Sequence, residues 1–353
     1  MRGFGMHSVG NVGWLEKDRP ACGPLDAIVR PTMVAPCSSD THVSHGGSGP
    51  RENLILGHEA VGIVDEVGSD VASIKPGDYV VVPCVTPHWL APGVQNSRST
   101  SHDVGPFGSF KLVGSKDGVM AEFFHVNLAD ANLTTLPEGV SPEAALMIVD
   151  MMSTGFHGAE AADIETGDTV VVIGIGPVGL MAIAGAGLHG AGRLIAVGTR
   201  PAAIDVARAY GATDVISYKA GPIDAQVREM TGGVGADRVI VAGGSGETFV
   251  QAIRMTRPTG IVSNINFFDI SDVFAIPALD WGLGMINVDI RGGFCPGGAV
   301  RMEKLLDVVK YGRCDPTKII SHRFTGFDQI PDAFELMDVK APDLIKPVVH
   351  LDA

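Results

Sequence analysis

No two cysteines of the 353-residue sequence form a C-x-x-C pair, and the five cysteines present are widely scattered. A structural zinc site made of four cysteines needs such closely spaced pairs, so this kind of site is excluded. An odd number of scattered cysteines also argues against a disulfide framework and favours a reducing cytoplasm. The cysteines are Cys22, Cys37, Cys84, Cys295 and Cys314.

Positive charge is also scarce, because 26 Lys and Arg residues stand against 40 Asp and Glu residues, for a formal net charge of −14. We therefore expect no nucleic-acid partner, and an anionic cofactor would need a local basic pocket. Residues 1–8 contain no apolar run, so no signal peptide is expected. The hydrophobic content of 45% supports a sizeable core, and the length suits two domains.

One long segment, residues 170–188, carries no charge and has the length of a membrane span. It also contains Pro177 and several glycines, and a proline inside a helix would interrupt it. A buried strand followed by a helix of small residues explains this composition better than a membrane helix. We therefore expect no association with a membrane.

The same segment contains a glycine-rich turn between the predicted strand and the predicted helix. Gly174, Gly176 and Gly179 have the G-x-G-x-x-G spacing of a dinucleotide-binding fold. The first glycine makes the tight turn, the second lets the backbone approach a pyrophosphate, and the third lets the helix pack on the strand. The helix N-terminus then offers unpaired N–H groups to the phosphates.

The rest of the chain predicts an α/β protein with an irregular β-rich domain and a doubly wound parallel sheet. Short strands bounded by turn residues are predicted at 27–31, 60–67 and 78–83, and residues 86–118 form a predicted surface lobe. Strands and helices alternate after Gly167, which is typical of a parallel sheet covered on both faces. We expect a catalytic domain at residues 1–153, a cofactor domain at 154–294, and a return to the first domain at 295–353. The later predicted strands are 193–198, 214–218, 237–242, 260–266 and 288–292, with helices at 202–210 and 301–311.

The end of the second strand of the parallel sheet predicts which nicotinamide cofactor is bound. An NAD site usually has Asp or Glu there to hold the ribose 2′-hydroxyl, but this chain has Gly198, Thr199 and Arg200. The missing carboxylate removes repulsion against a 2′-phosphate, and Arg200 supplies a bidentate donor for it. Tyr218 offers a second hydroxyl. The alternative for Arg200 is a solvated arginine at a loop, but its position favours NADP.

Cys37, His58 and Asp150 supply a thiolate, an imidazole and a carboxylate, which is a plausible three-ligand zinc set with a fourth position open. Each residue also has a simpler interpretation. Cys37 suits a small core position, His58 suits a turn, and Asp150 suits a buried helix cap. Spacing alone does not decide between these alternatives, because no short-range zinc motif is present.

The chain resembles the zinc-dependent medium-chain alcohol dehydrogenases, and especially the NADP-dependent secondary alcohol dehydrogenases of the isopropanol dehydrogenase type. The resemblance covers nearly the whole sequence, and its long motif beginning at Asp150 is very specific. It implies a GroES-like catalytic domain, a Rossmann domain and a homotetramer. The motifs that carry it are residues 28–31, 35–37, 55–62, 75–78, 150–160, 174–181, 295–298 and 343–349.

The resemblance also implies roles for individual residues. It implies one catalytic zinc on Cys37, His58 and Asp150, with Glu59 beside the metal. Ser39 and His42 match the family's proton relay. The family's cofactor contacts fall on Gly174, Ile175, Gly176, Pro177, Val178, Gly179, Gly198, Thr199, Arg200, Tyr218, Ile265, Asn266, Phe267 and Lys340.

The substrate pocket is where the sequence departs from these relatives. Cys84, Phe110, Phe267 and Phe294 stand where relatives often have alanine, tryptophan, tyrosine and leucine, and residues 88–109 diverge strongly. The expected pocket wall is apolar and offers no cation for a carboxylate, which favours small uncharged secondary alcohols and ketones. The wall consists of Cys84, Val85, Phe110, Phe294 and Cys295.

The expected activity is the reversible oxidation of a secondary alcohol to a ketone with transfer of a hydride to NADP. Two alternatives remain from other classes of protein. A zinc-free quinone or enone reductase on the same scaffold is disfavoured by the ligand set, and a non-catalytic NADPH-binding protein is disfavoured by Ser39 and His42. Self-association is expected through the edge strand at residues 288–292, with Met285 near a neighbouring pocket.

Overall fold

The protein is described from a computed structural model that covers residues 1–96 and 108–351. Residues 97–107 of the predicted surface lobe lie outside the described residues. The chain divides into two compact units. One unit contains Met1–Ser153 and the segment from Phe294 onward, and the other contains Thr154–Gly293.

The first unit is built mainly from antiparallel strands around an apolar core. Within residues 1–153, its helices are α1 (Ser38–Ser44), α2 (Pro92–Asn96), α3 (Ala129–Asn132) and α4 (Pro142–Met147), followed by a π-helical turn (Ile148–Met152). The next helix, α5 (Ser153–Ala161), begins at the last residue of this segment and belongs mostly to the second unit. The strands of the first unit in this part of the chain are β1 (Arg2–Ser8), β2 (Asn11–Glu16), β3 (Ala27–Val34), β4 (Leu54–Ile55), β5 (Ala60–Val67), β6 (Tyr79–Val82), β7 (Phe124–Val126) and β8 (Thr134–Thr135).

The second unit contains strands joined by helical crossovers, as the alternation of the sequence predicts. Its strands are β9 (Thr169–Ile173), β10 (Arg193–Val197), β11 (Asp214–Ile216), β12 (Ala236–Val241), β13 (Thr256–Asn264) and β14 (Asp289–Gly292). Its helices are α6 (Pro177–His189), α7 (Pro201–Ala209), α8 (Ile223–Met230) and α9 (Gly246–Met255), with short 3₁₀ turns at Tyr218–Ala220 and Gly282–Gly284.

The strands of the second unit form one parallel sheet in the order β11-β10-β9-β12-β13-β14. This is a doubly wound order, because successive strands are added on one side of β9 up to β11 and then on its other side from β12 onward. The apolar residues of β9 and β12 are fully buried, because helices cover both faces of the sheet. The sheet therefore has the architecture of a dinucleotide-binding domain.

The chain then returns to the first unit. Its last elements are α10 (Ala299–Lys310), 3₁₀ turns at Pro316–Ile319 and Phe327–Gln329, β15 (Ile320–Thr325), α11 (Ile330–Val339) and β16 (Lys346–His350). Strand β16 pairs parallel to β15 and antiparallel to β3, so the end of the described chain is built into the main sheet of the first unit. That sheet has the order β15-β16-β3-β5-β6-β8, and β7 also pairs with β3.

Several predicted bounds differ from the structure by a few residues, and two of these differences concern proposed cofactor residues. Tyr218 does not end the third strand of the parallel sheet, because β11 stops at Ile216 and the Ser217 hydroxyl accepts a hydrogen bond from the Lys219 backbone N–H, which starts a 3₁₀ turn. The fifth strand, β13, begins earlier and ends before Ile265, so Ile265 lies in the loop that follows it.

The uncharged segment at residues 170–188 forms β9, the glycine turn and α6. Pro177 is the first residue of that helix, where its missing N–H costs nothing because the first N–H groups of a helix have no partner within it. Among residues 1–96 and 108–351, no helix combines the length and the apolar character that crossing a membrane requires.

Candidate metal centre and cofactor site

Three chain segments of the first unit bring a sulfur, a nitrogen and an oxygen ligand together. Cys37 is the N-cap of α1, His58 lies between β4 and β5, and Asp150 lies in the π-helical turn. All three residues are buried. A π-helical turn shifts the side chains out of the α-helical register, and such turns are frequent at functional sites.

Two distances within this cluster are close to those between the ligand atoms of a tetrahedral ion. His58 Nε2 lies 3.3 Å from Asp150 Oδ2, and Cys37 Sγ lies 3.8 Å from the same oxygen. Ligand bonds of ~2.0–2.3 Å around a tetrahedral zinc ion separate the ligand atoms by ~3.3–3.8 Å. The donor set of thiolate, imidazole and carboxylate is also one that zinc prefers. The residues present therefore fit a catalytic zinc ion.

A buried carboxylate that the sequence analysis missed, Asp40, holds two of the ligands in place. Asp40 Oδ2 accepts a hydrogen bond of 2.9 Å from the Cys37 backbone N–H, and Oδ1 lies 3.1 Å from His58 Nδ1. Oδ1 also accepts from the Gly57 backbone N–H at 3.0 Å. A carboxylate on Nδ1 leaves Nε2 of the ring available to a metal. Burial lowers the pKa of His58, but Asp40 and Asp150 outweigh it and raise that pKa well above its usual range.

Glu59 lies next to the three ligands and pairs with a lysine from the other end of the chain. Its Oε1 lies 4.0 Å from His58 Nε2 and accepts a 2.5 Å hydrogen bond from Lys346 Nζ. Its Oε2 is buried and has no hydrogen-bond partner within the described part of the chain. Burial raises the pKa of Glu59 to about 7, although the lysine opposes that rise. A buried carboxylate oxygen without a partner is what a nearby cation would satisfy.

The two residues proposed for proton transfer lie on the same short helix. Ser39 Oγ lies 3.2 Å from Cys37 Sγ and 3.2 Å from His58 Nε2, so its hydroxyl borders the cluster. His42 is one turn further along α1, three residues away, which places both side chains on one face of the helix.

The five residues expected to form the pocket wall are brought together beside the metal ligands. Cys84, Val85, Phe110 and Cys295 form a buried apolar cluster, and the partly buried Phe294 packs against it. The rings of Phe110 and Phe294 stack with centroids 5.4 Å apart, and Phe110 also meets the His58 ring edge-on. The wall is therefore apolar and contacts His58, a candidate metal ligand, directly.

In the second unit, the glycine turn has the geometry that its spacing predicts. Gly174 has φ +90°, which only glycine adopts readily, and a Cβ on Gly179 would lie 1.7 Å from the Gly174 carbonyl oxygen. A Cβ on Gly176 would meet no atom within 4 Å, so the backbone at the N-cap of α6 faces open space. The turn thus leaves room for a phosphate at a helix N-terminus.

A surface cavity of about 430 Å³ lies at the end of β10, where the cofactor preference was predicted. Gly198 and Thr199 line it, and the Thr199 hydroxyl donates to the Tyr218 hydroxyl at 3.0 Å. Arg208 and Lys219 also line the cavity, although neither was expected there from the sequence. With Arg200 at the N-cap of α7, the cavity has the local positive charge that an anionic cofactor needs in an acidic protein.

The remaining proposed cofactor residues lie at two places. Ile265, Asn266 and Phe267 follow β13, and the Ile265 backbone N–H donates to the Val241 carbonyl at the end of β12. They therefore lie at the carboxyl edge of the parallel sheet, as Gly174 does. Lys340 belongs to the first unit, where it is exposed at the C-terminal end of α11.

Two family models match separate parts of the chain. The family described as "Alcohol dehydrogenase GroES-like domain" matches residues 23–138, and that described as "Zinc-binding dehydrogenase" matches residues 177–310. Over 352 residues the chain is 56% identical to the NADP-dependent isopropanol dehydrogenase of Thermoanaerobacter brockii, covering 99% of this chain and 100% of that protein. The chain belongs to the zinc-dependent alcohol dehydrogenase family.

Two further similarities support the assignment to the zinc-dependent alcohol dehydrogenases. The NADP-dependent isopropanol dehydrogenase of Clostridium beijerinckii is 54% identical over 352 residues, covering 99% of this chain and 100% of that protein. The solved structure of alcohol dehydrogenase TADH from Thermus sp. ATN1 has a TM-score of 0.84 at 30% identity, covering 99% of this chain and 100% of that one. The expected family, and the expected combination of a GroES-like domain with a Rossmann domain, are confirmed.

Proposed function

We propose that this zinc-dependent alcohol dehydrogenase uses NADP to oxidise small secondary alcohols to ketones, and catalyses the reverse reduction with NADPH. The observation that carries the proposal is the buried group of Cys37, His58 and Asp150, in a chain more than half identical to proteins named NADP-dependent isopropanol dehydrogenase. The unit containing this group is the catalytic domain, and the doubly wound unit is the cofactor domain.

When bound, a zinc ion on these three residues would make an alcohol hydroxyl more acidic, and NADP would accept the hydride. Cys37 and Asp150 match the charge of the ion, and Asp40 orients His58 towards it. Ser39 Oγ accepts the hydroxyl proton as it gives up its own, and that second proton passes on towards His42, on the same face of α1. Glu59 borders the ion and is held by Lys346.

The cofactor residues divide by the group that they contact. Gly174, Gly176 and Gly179, with Ile175, Pro177 and Val178, hold the pyrophosphate at the N-terminus of α6. Arg200, Thr199 and Tyr218 bind the 2′-phosphate beside Gly198, and the cavity-lining Arg208 and Lys219 add positive charge. Ile265, Asn266, Phe267 and Lys340 complete the cofactor contacts.

The substrate class follows from the wall of Cys84, Val85, Phe110, Phe294 and Cys295. This wall is apolar, so it favours small uncharged alcohols and ketones over acids and sugars. The stacked pair of Phe110 and Phe294 limits the width of the pocket beside His58.

The assembly that we propose is a homotetramer in the cytoplasm. Strand β14 is an edge of its sheet among the described residues, and Ile290 on it is partly exposed. Leu279, Leu283 and Met285, just before that strand, are each more than 70% exposed. An edge strand with exposed apolar residues beside it favours pairing with a second copy of the chain. A sedimentation mass equal to one chain at micromolar concentration would contradict the proposal.

The activity is tested with a panel of secondary alcohols and ketones of three to eight carbons, each with NADP(H) and with NAD(H). The proposal predicts turnover of propan-2-ol and small ketones, poor turnover of charged acids and sugars, and a clear preference for NADP(H). Reduction of a quinone or an activated enone without alcohol oxidation would favour the zinc-free reductase. Cofactor binding without any turnover would favour a binding protein.

A further inference from the structure

A second group of soft ligands lies on the other side of Asp150. Cys84 Sγ lies 3.7 Å from Cys295 Sγ and 3.6 Å from Asp150 Oδ1, and all three residues are buried. The three ligand atoms lie within 4.8 Å of one another. Two sulfur ligands and one carboxylate oxygen form a donor set suited to a thiophilic divalent ion.

The distances favour an ion over a disulfide between the two cysteines. Around a tetrahedral ion with bonds of ~2.0–2.3 Å, two sulfurs lie ~3.8 Å apart and a sulfur and an oxygen ~3.5 Å apart. The observed separations of 3.7 Å and 3.6 Å are close to these values. A disulfide needs a sulfur–sulfur distance of ~2.05 Å, so both side chains would have to move.

Asp150 connects this group with the candidate catalytic zinc site through its two oxygens. Oδ2 faces His58 and Cys37, whereas Oδ1 accepts a hydrogen bond from the Cys84 thiol. A carboxylate can ligate a different ion through each oxygen. The two groups therefore share one ligand without competing for the same atom.

The charges balance when both groups are filled. Cys37, Cys84 and Cys295 as thiolates, together with the Asp150 carboxylate, supply four negative charges for two divalent ions. Glu59 is already paired with Lys346 at 2.5 Å. Entry of the second ion breaks the S–H bonds of Cys84 and Cys295, forms two metal–sulfur bonds and releases two protons. This exchange leaves the total charge of the buried cluster unchanged, which avoids the cost of burying an unpaired charge.

We propose that Cys84, Cys295 and Asp150 form a second, thiophilic metal site that takes zinc in excess or cadmium and thereby inhibits the enzyme. The ion lies within the apolar wall that contains Phe110 and Phe294, so it obstructs the alcohol, and it shares the Asp150 carboxylate with the catalytic ion. The inhibition rests on the proposed function, which places a catalytic ion on the other oxygen of Asp150. Binding of the second ion to Cys84 and Cys295 does not.

The experiment measures both metals on the same samples. Purified protein is dialysed to its tightly held zinc content, then equilibrated with a small excess of cadmium chloride, and zinc and cadmium are counted per chain. We expect one zinc and one cadmium in the wild type. We expect one zinc and no cadmium in Cys84→Ala and in Cys295→Ala, because both sulfurs are needed. Cys22→Ser, which changes a cysteine outside the group, should match the wild type.

Absorption and inhibition give two further readouts. Cadmium should produce an ultraviolet cadmium–thiolate band in the wild type that is lost in both alanine variants. The cadmium concentration that halves propan-2-ol turnover should rise at least about tenfold in Cys84→Ala, which loses a direct ligand. Circular dichroism melting establishes that the variants are folded.

Three results would overturn the proposal: no cadmium uptake by the folded wild type, equal uptake by Cys84→Ala, or cadmium that only replaces zinc. The zinc content tests the proposed function, and the cadmium uptake tests the second site. Protein purified without zinc would contradict the proposed function, whereas the difference in cadmium uptake between the wild type and Cys84→Ala would still decide the second site.

Discussion

Lys346 Nζ lies 2.5 Å from Glu59 Oε1, and both side chains are fully buried. Lys346 also donates to the Pro36 carbonyl at 2.9 Å, next to Cys37. The first residue of β16 is thus bonded to the two segments that carry Cys37 and His58. The returning segment therefore contributes a buried countercharge beside the candidate metal centre.

Replacing Lys346 with Met should destabilise the protein strongly, because Glu59 would remain buried without its countercharge. Loss of one partner of a buried ion pair costs about 3–5 kcal/mol. The free energy of unfolding, measured in urea on zinc-loaded protein, checks this value. The double variant Lys346→Met with Glu59→Gln should recover part of the loss. A change below about 1 kcal/mol in the single variant would contradict the role given to this pair.

Replacing Asp40 with Asn should weaken zinc binding without removing a ligand. The amide cannot accept hydrogen bonds through both of its terminal atoms, so the orientation of His58 or the position of Cys37 is lost. Loss of such a partner typically costs about 10–100-fold in metal affinity. Competition with a zinc chelator measures the effect. Asp328→Asn, at an exposed carboxylate, is the matched control, and equal affinities in both variants would refute the orienting role.

The preference for NADP should depend on Arg200 and on the absence of a carboxylate at position 198. Arg200→Gln should weaken NADP binding by about one to two decades and leave NAD binding nearly unchanged, because a charged hydrogen bond contributes about 1.5–3 kcal/mol. Binding constants for both cofactors, measured by fluorescence titration, check this prediction. Equal losses for NADP and NAD would argue against a 2′-phosphate contact.

Substitution of Gly198 needs a steric control. A Cβ at this position would lie 2.1 Å from Ile175 Cγ1, so any side chain must displace Ile175. Gly198→Ala should weaken both cofactors alike, whereas Gly198→Asp should weaken NADP further, because the carboxylate repels the 2′-phosphate. If both variants had the same ratio of NADP to NAD affinity, charge at this position would not set the preference.

Glu143 should make the free energy of unfolding depend on pH in the acid range. Two hydrogen bonds from Arg323, at 2.7 and 2.9 Å, lower the pKa of Glu143 in the folded protein, and His350 lies 3.0 Å away. A lowered pKa stabilises the fold above the ordinary glutamate value, and this contribution is lost as the pH falls through the folded value. Glu143→Gln should therefore cost about 0.5–1 kcal/mol at pH 7, since Arg323 is half-exposed.

The difference in unfolding free energy between wild type and Glu143→Gln, measured in urea from pH 7 down to pH 3, tests this prediction. It should shrink towards zero at the acid end. A difference that stays constant over this range would show that the carboxylate charge is not responsible.

The parallel sheet was predictable because its signals are local. Apolar strands, the glycines at 174, 176 and 179, and Pro177 at the start of α6 each determine the structure of their own few residues. The boundaries were less certain. Tyr218 lies beyond its strand because a single serine hydroxyl starts a turn, which is a weak signal in a sequence.

The metal centre was predictable only in part. Cys37 and His58 stand near each other in the sequence, but Asp150 joins them through a π-helical turn. Residue types alone left Asp150 open as a buried helix cap, and only the family resemblance decided for a ligand. Asp40 had a local signal, as an acidic residue in the first turn of the helix that Cys37 caps. Lys346 had none, because 287 residues separate it from Glu59 and the contact exists only after the sheet has formed.

Zinc content and propan-2-ol turnover, measured on one preparation of wild type and of Asp150→Asn, test the central claim most directly. The account predicts one tightly held zinc per chain and NADP-dependent turnover in the wild type. In Asp150→Asn, loss of the ligand charge should weaken zinc binding and nearly abolish turnover. Active wild-type protein without zinc, or an Asp150→Asn variant with unchanged zinc content and turnover, would contradict it.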